Sequence, residues 1–296
     1  MTDLLDYEFA PFAATVEGKA RPGVSPMTPE EFGRLSVLLR REVGIHVPPD
    51  KQFLLEDRVR RRLNRHGFTQ FSDYYDFLLT PEGQDSEFVQ FVDAVTTTTT
   101  EFFREPRHFV YLVEEFTPRW VALHGAKPMR LWSAGCSTGM EPYSMAMSLE
   151  SCVEKHADFS YSILATDIST QALQQAVRAV YSEDALGPVP KALRNKYFQR
   201  SVDQTRRLVR VVPNLRARVI FRRLNFMDEF QLRRPLDGIF CRNVLMYFEY
   251  PTQKRLLNRL CDQLDTGGIL MLDDSLRLNT VDLPLRQEEA SIYIKI

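Results

Sequence analysis

The sequence predicts an α/β fold, a doubly wound and mostly parallel sheet domain behind a small all-helical region. Three observations carry this. From about residue 128, short apolar runs of strand length alternate with helical stretches. Before residue 96, apolar residues recur at helical spacing. Between the two lies the unbroken run Thr96–Thr100, and threonine disfavours helix and favours extended chain.

The bounds agree. A chain of 296 residues allows one large domain or two smaller ones. Hydrophobic residues make up 44%, enough to bury a core. The net charge of −1 gives no broad signature for nucleic acid or a membrane surface, so any charge argument must be local. Cys136, Cys152, Cys241 and Cys261 form no C-x-x-C pair, which points to free thiols in a reducing cytoplasm and to no metal site. Met1–Asp6 is acidic and no long apolar run follows. Neither a signal peptide nor direct membrane insertion is therefore expected.

Residues 1–26 read as a flexible tail rich in Pro and Gly. A helical domain over 27–95 follows. Thr28-Pro29-Glu30-Glu31 has the form of a capping box with proline in the first turn, and Phe32, Leu35, Leu38 and Leu39 fall at helical spacing. A second helix, Lys51–Arg65, puts Leu55, Val59 and Leu63 on one stripe and Arg58, Arg61, Arg62 and Arg65 on another. Further helices are expected near 71–79 and 85–95, and 96–127 reads as a linker and motif segment.

The sheet domain, 128–296, is predicted from strands Met129–Ala134, Tyr161–Thr166, Val219–Phe221, Gly238–Cys241 and Ile269–Leu272. Helices Pro142–Val153, Thr170–Ala179 and Thr252–Leu264 interleave with them. At about 181–218 the alternation breaks, and Leu208–Val212 reads as a strand of a small inserted β-subdomain.

In an open parallel sheet, ligands bind beyond the carboxyl ends of the strands. Three features fall there. Gly135-Cys136-Ser137-Thr138-Gly139 is a turn whose glycines admit close approach of a ligand. Asp167 ends the next strand, where a carboxylate can take both hydroxyls of a ribose or cap the following helix. Cys241-Arg242-Asn243-Val244 follows the strand ending at Cys241. The turn also spells G-x-S-x-G, the serine-hydrolase elbow. That chemistry needs an acid and then a histidine later in the chain, and only His156 follows Ser137, one helix away with no middle acid. A dinucleotide oxidoreductase lacks its G-x-G-x-x-G. S-adenosylmethionine carries no phosphate and suits the looser turn.

Four segments together resemble the chemotaxis-receptor glutamate methyltransferases, the CheR family. They are Thr96–Leu112 with its Thr-Glu-Phe-Phe-Arg-Glu core, Trp132–Gly139 continuing to Glu141-Pro142-Tyr143-Ser144, Ala165–Ile168, and Phe240–Phe248. The resemblance implies a Rossmann-like, S-adenosylmethionine-dependent methyltransferase domain, with S-adenosylhomocysteine as product. It implies a donor site of Thr98, Thr100, Arg104, Gly135, Glu141, Asp167, Asn225, Phe226, Asn243 and Val244. Asp167 would hold the ribose, Glu141 would sit near the charged donor and Asn225 with Phe226 would flank the adenine. Arg104 and Tyr247 would organise the reacting groups. The alternatives are that Arg104 pairs with Glu101 or Glu105 and that Tyr247 is core.

The implied partners are the cytoplasmic helices of methyl-accepting chemotaxis receptors. Those helices are acidic, and the stripe Arg58, Arg61, Arg62 and Arg65 is suited to meet them or else to be a solvated face. The chain departs from the family at Thr98, where asparagine is usual, and at Met140, where an acid is usual. It also departs at Asp273-Asp274-Ser275-Leu276 and in the loop Arg200–Arg207, which lacks glycine. These leave open a relative that binds donor or product as a regulator or scaffold.

Overall fold

A computed structural model describes residues 23–274 and 283–296; most of the expected tail and Ser275-Leu276 lie outside the described residues. The last residues of that expected tail pack on the helical domain. Arg60 donates to the Val24 carbonyl at 2.6 Å, and Ser25 N donates to Thr69 O at 3.0 Å.

The helical domain contains α1 (Pro29–Val43), α2 (Gln52–His66), α3 (Phe71–Leu78) and α4 (Phe88–Val95). The capping box of α1 forms as its residues dictate: Thr28 Oγ1 accepts from Glu31 N at 3.2 Å and Glu31 Oε2 accepts from Thr28 N at 2.9 Å. Leu35, Leu39, Leu55, Val59, Leu63, Tyr74 and Phe91 form one core. A π-helical turn, Gly83–Glu87, precedes α4 and brings Glu87 into that core.

Residues 106–124, inside the expected linker and motif segment, are helical. They form α5 (Pro106–Tyr111) and α6 (Thr117–His124), joined through a π-helical turn at Leu112–Phe116. Pro106 and Pro118 each fall in a first turn, where the missing N–H costs nothing.

The sheet domain runs β1 (Met129–Ala134), α7 (Met140–Lys155), β2 (Tyr161–Asp167), α8 (Thr170–Arg178), β3 (Val180–Ser182), α9 (Lys191–Tyr197), β4 (Phe198–Arg200) and β5 (Leu208–Val211). It continues through α10 (Pro213–Arg216), β6 (Val219–Arg223), β7 (Leu236–Cys241), α11 (Tyr250–Gln263), β8 (Leu264–Leu272), β9 (Leu285–Glu289) and β10 (Ile292–Lys295). The main sheet has the order β6-β2-β1-β7-β8-β10-β9. It is parallel from β6 to β8, and the β9–β10 hairpin, which the sequence did not announce, adds two antiparallel strands. A second, antiparallel sheet β3-β5-β4 occupies the region expected to hold the insertion.

Period-two alternation sorts the strands onto two cores. Leu131, Phe240 and Met271 face the side covered by α5, α6 and α7, whereas Trp132, Ile239, Cys241 and Leu270 face α11. All four cysteines are free and buried. Among the described residues, no helix is long and apolar enough to cross a membrane. Because β1 lies between β2 and β7, the strand order reverses there. That leaves a crevice at the carboxyl ends of β1 and β7.

Candidate functional site

A cleft of about 500 Å³ opens at that crevice, and its walls come from both domains. The sheet domain contributes Gly135, Ser137, Glu141, Asp167, Asn225, Phe226, Asn243, Val244 and Tyr247. Thr98, Thr100 and Arg104 line the junction, and Val47, Leu54 and Arg58 of the helical domain close the far side. Every residue expected at the donor site thus lines one cavity.

The turn after β1 is built for close approach. Gly135 has φ +91°, and a Cβ there would stand 2.2 Å from Val244 Cγ2. The Gly135 and Cys136 amides both donate to Thr166 O at 2.8 Å. Ser137, with φ +49°, sends its amide to Asp167 Oδ2 at 2.7 Å and its hydroxyl to Thr98 O at 2.8 Å. The elbow serine is thus committed to a backbone carbonyl, which agrees with the exclusion of the hydrolase. Thr98 uses its carbonyl in this contact, so an asparagine side chain is not needed for it.

Asp167 caps nothing directly. Its Oδ1 accepts from Ser169 N at 2.9 Å, while Ser169 Oγ caps α8. Burial raises the Asp167 carboxyl above its usual range, against the bonds from the Ser169, Ser137 and Ile168 amides. Three amide bonds leave about one of the carboxylate's roughly four lone-pair sites for a hydroxyl.

Glu141 lies in the first turn of α7, where the helix dipole favours an anion. Its Oε1 accepts from Ser133 Oγ at 2.7 Å and its Oε2 from Arg242 Nη1 at 3.2 Å. Burial pushes its carboxyl up, with Arg242 opposing. Asn225 donates to Glu42 O at 2.7 Å and accepts from Met227 N at 3.0 Å, so its amide ties the loop after β6 to the end of α1. Phe226 packs against Trp132 and Phe248 with centroids 6.3 and 6.5 Å away. Tyr247 is half-buried and lines the cleft, so it is not core, and its carbonyl accepts from His46 N at 2.8 Å.

The arginine stripe is not one surface. Arg61 and Arg65 are exposed, and Arg61 stands 3.6 Å from Asp57. Arg62 is turned inward, its Nε 2.7 Å from a carboxylate oxygen of buried Glu87, which also receives Tyr74 OH at 2.7 Å and lies 2.7 Å from His66 Nε2. Arg58 donates to Val95 O and to Thr97 Oγ1, the latter at 3.2 Å. Both arginines flank the apolar stripe of α2 and reach its neighbours. The expected four-residue face therefore reduces to Arg61 and Arg65.

Sequence reasoning named the Arg242 segment and Glu105 but gave Arg242 no role and did not pair the two. Arg242 is only 4% exposed, and its Nε lies 3.2 Å from Glu105 Oε2. A lone arginine after the apolar strand Leu236–Cys241 was the available signal. Glu105, His108 and Asp274 have ligand-type atoms within 4.8 Å of one another, but the Arg242 guanidinium already supplies the cation beside Glu105.

A carboxylate at the end of β2, an acid at the start of α7 and an aromatic wall fit a nucleoside with a charged amino-acid tail. They do so at the switch point of a parallel sheet, and they define the class of S-adenosylmethionine-dependent methyltransferases. Residues 30–96 match the CheR methyltransferase all-alpha domain and residues 98–294 match the CheR methyltransferase SAM-binding domain. The chain belongs to the CheR methyltransferase family. It is 35% identical to the chemotaxis protein methyltransferase of Borreliella burgdorferi, over 84% of this chain and 88% of that one. It is 37% identical to chemotaxis protein methyltransferase 2 of Pseudomonas aeruginosa over 84% and 86%. With the Escherichia coli chemotaxis protein methyltransferase the identity is 34%, over 82% and 83%.

Proposed function

We propose that this chain methylates glutamate side chains of chemotaxis receptors, forming methyl esters on the cytoplasmic side. The observation that carries this reading is the single cleft in which Asp167, Glu141, Phe226, Arg104 and Tyr247 converge, with its far wall supplied by the helical domain. A donor pocket alone needs no such wall, whereas a protein acceptor does.

Bound there, S-adenosylmethionine supplies a methyl group on a cationic sulfur. Asp167 would accept from the ribose, Glu141 would face the cationic end, and Phe226 with Asn225 would flank the base. Thr98, Thr100, Gly135, Asn243 and Val244 complete the lining. A solvated glutamate is already ionised at neutral pH, so no side chain need remove a proton. Catalysis reduces to alignment and exclusion of water. Arg104 and Tyr247 orient the incoming carboxylate, and the apolar wall of Val47, Leu54 and Phe248 dries the path. Attack by an anion on a cation neutralises charge, so a dry site speeds it. Exposed Arg61 and Arg65 meet the acidic receptor helix.

Calorimetry with S-adenosylhomocysteine, followed by transfer of a tritiated methyl group to receptor-containing membranes, tests the reading. Base-labile label on the receptor is expected, as an ester requires. Binding of product without transfer to any cognate receptor would instead mark a regulator or scaffold.

A further inference from the structure

Arg242 is the buried hub of the site, and no part of the mechanism above uses it. It sits after β7 and reaches α7 and the segment before α5. Nη1 donates to Glu141 Oε2 on α7 at 3.2 Å, Nε donates to Glu105 Oε2 before α5 at 3.2 Å, and Nη2 donates to the Arg104 carbonyl. Its guanidinium lies 5.6 Å from the Phe109 ring centroid, which closes off its remaining face. The segment it grips is locally strained: Phe103 and Glu105, on either side of Arg104, have φ of +54° and +53°. Arg104 is thus presented to the cleft on a backbone that needs an external tie, and Arg242 provides one.

The amino-acid end of S-adenosylmethionine is a zwitterion, with an ammonium and a carboxylate on one carbon. Glu141 and Arg104 are an acid and a base lining the same cleft. We infer that Arg242 is a positioning residue for this zwitterion, fixing Glu141 toward the ammonium while pinning the peptide that carries Arg104. The inference rests on the donor being seated in this cleft.

The surroundings of Glu141 show why a cation is needed there. Ser133 on β1 donates to it, Arg104 assists from the junction segment, and Glu105 opposes from the same segment. Cys136 in the donor turn and Cys241 on β7 are buried thiols whose values are raised, so neither supplies charge. Behind Glu105 stand Asp273, Asp274 and His108. Burial and Arg242 push His108 down to about 4, so it is neutral in ordinary buffers and cannot replace the guanidinium. Without Arg242, the partly buried carboxylates of Glu105 and Glu141 lose the cation they share, and the Glu141 carboxyl rises further.

The experiment compares wild type, R242K and R242Q by calorimetry with S-adenosylhomocysteine across about pH 5.5 to 8.5, alongside thermal melts. R242Q is expected to bind about ten- to hundredfold more weakly. Its affinity is expected to rise with pH, because Glu141 must lose its proton before it can pair with the ammonium. Wild type should rise less steeply over the same range, because Arg242 opposes the upward push of burial on Glu141. R242K, which keeps the charge but not the fork, should recover the shallower wild-type profile and part of the affinity. E141Q combined with R242Q should abolish the pH slope. A folded R242Q with wild-type affinity and the wild-type pH profile would overturn the inference, as would an R242K that behaves like R242Q. If wild type itself fails to bind, the donor reading falls, and this inference falls with it.

Discussion

The Asp93 carboxylate, on the last helix of the helical domain, receives both the amide and the hydroxyl of Thr170, the first residue of α8. The amide bond is 2.8 Å. One side chain thus joins the domains and satisfies a helix N-terminal donor only three residues after Asp167. Asp93→Ala is expected to lower stability by about 1–3 kcal/mol in urea unfolding. It should also weaken S-adenosylhomocysteine binding severalfold, because the backbone beside the ribose site loses its anchor. Unchanged binding would show that the domain junction does not shape the donor wall.

Gly135→Ala should abolish donor binding. At φ +91° an alanine is strained by about 1 kcal/mol, and its Cβ falls 2.2 Å from Val244 Cγ2. The two effects separate in the double variant Gly135→Ala with Val244→Ala. That pair should recover stability lost to the clash but not the backbone term, as read by thermal melts.

Much of this arrangement was legible in the sequence, because the relevant signals were local. The β1 strand matched its expected limits, Met129–Ala134, since an apolar run between a Lys-Pro and a glycine turn leaves little choice. Asp167 was found because a lone acid closed an apolar strand. What escaped was non-local. Arg242 acquires its meaning only when Glu105 and Glu141 arrive from distant segments. The β9 strand Leu285–Glu289 is polar, its Glu289 and Glu288 pairing with Arg107 of α5 and Arg119 of α6, so no apolar alternation marks it. The inward turn of Arg62 depended on Glu87, which a π-helical turn carries into the core.

Charge reversal should split the arginine stripe. Arg61→Glu with Arg65→Glu is expected to reduce receptor methylation while leaving donor affinity unchanged, since both side chains are exposed. Arg62→Glu should instead unfold the helical domain. It strands buried Glu87 beside a second carboxylate, and breaking such a pair costs about 3–5 kcal/mol. Circular dichroism and a methyl-transfer assay on the same preparations distinguish the two outcomes.

Glu87 also sets an acid limit. Burial alone would raise its carboxyl, but hydrogen bonds from Arg62, Tyr74 and His66 outweigh that and hold it below the ordinary value of 4.5. A depressed acid binds its proton more weakly in the folded state than in the unfolded one. Its stabilisation is therefore complete above pH 4.5 and is lost as pH falls through the lower, folded value. Urea unfolding of wild type should weaken progressively below that point. Glu87→Gln should be less stable at neutral pH and show a shallower acid dependence.

Tyr247→Phe tests the half-buried ring at the cleft. Retained affinity with turnover lowered about tenfold or more is expected if the hydroxyl orients the acceptor, and full turnover would remove that role.

The four buried thiols give the molecule an internal clock. Cys136 sits in the donor turn, Cys241 at the end of a central strand, Cys152 on α7 and Cys261 on α11. None meets a reagent until its own region opens, and burial keeps each largely protonated. The rate at which each sulfur is alkylated therefore times the breathing of a different part of the fold. Donor or product should slow the clock at Cys136 more than the one at Cys261, which makes occupancy readable without any added label.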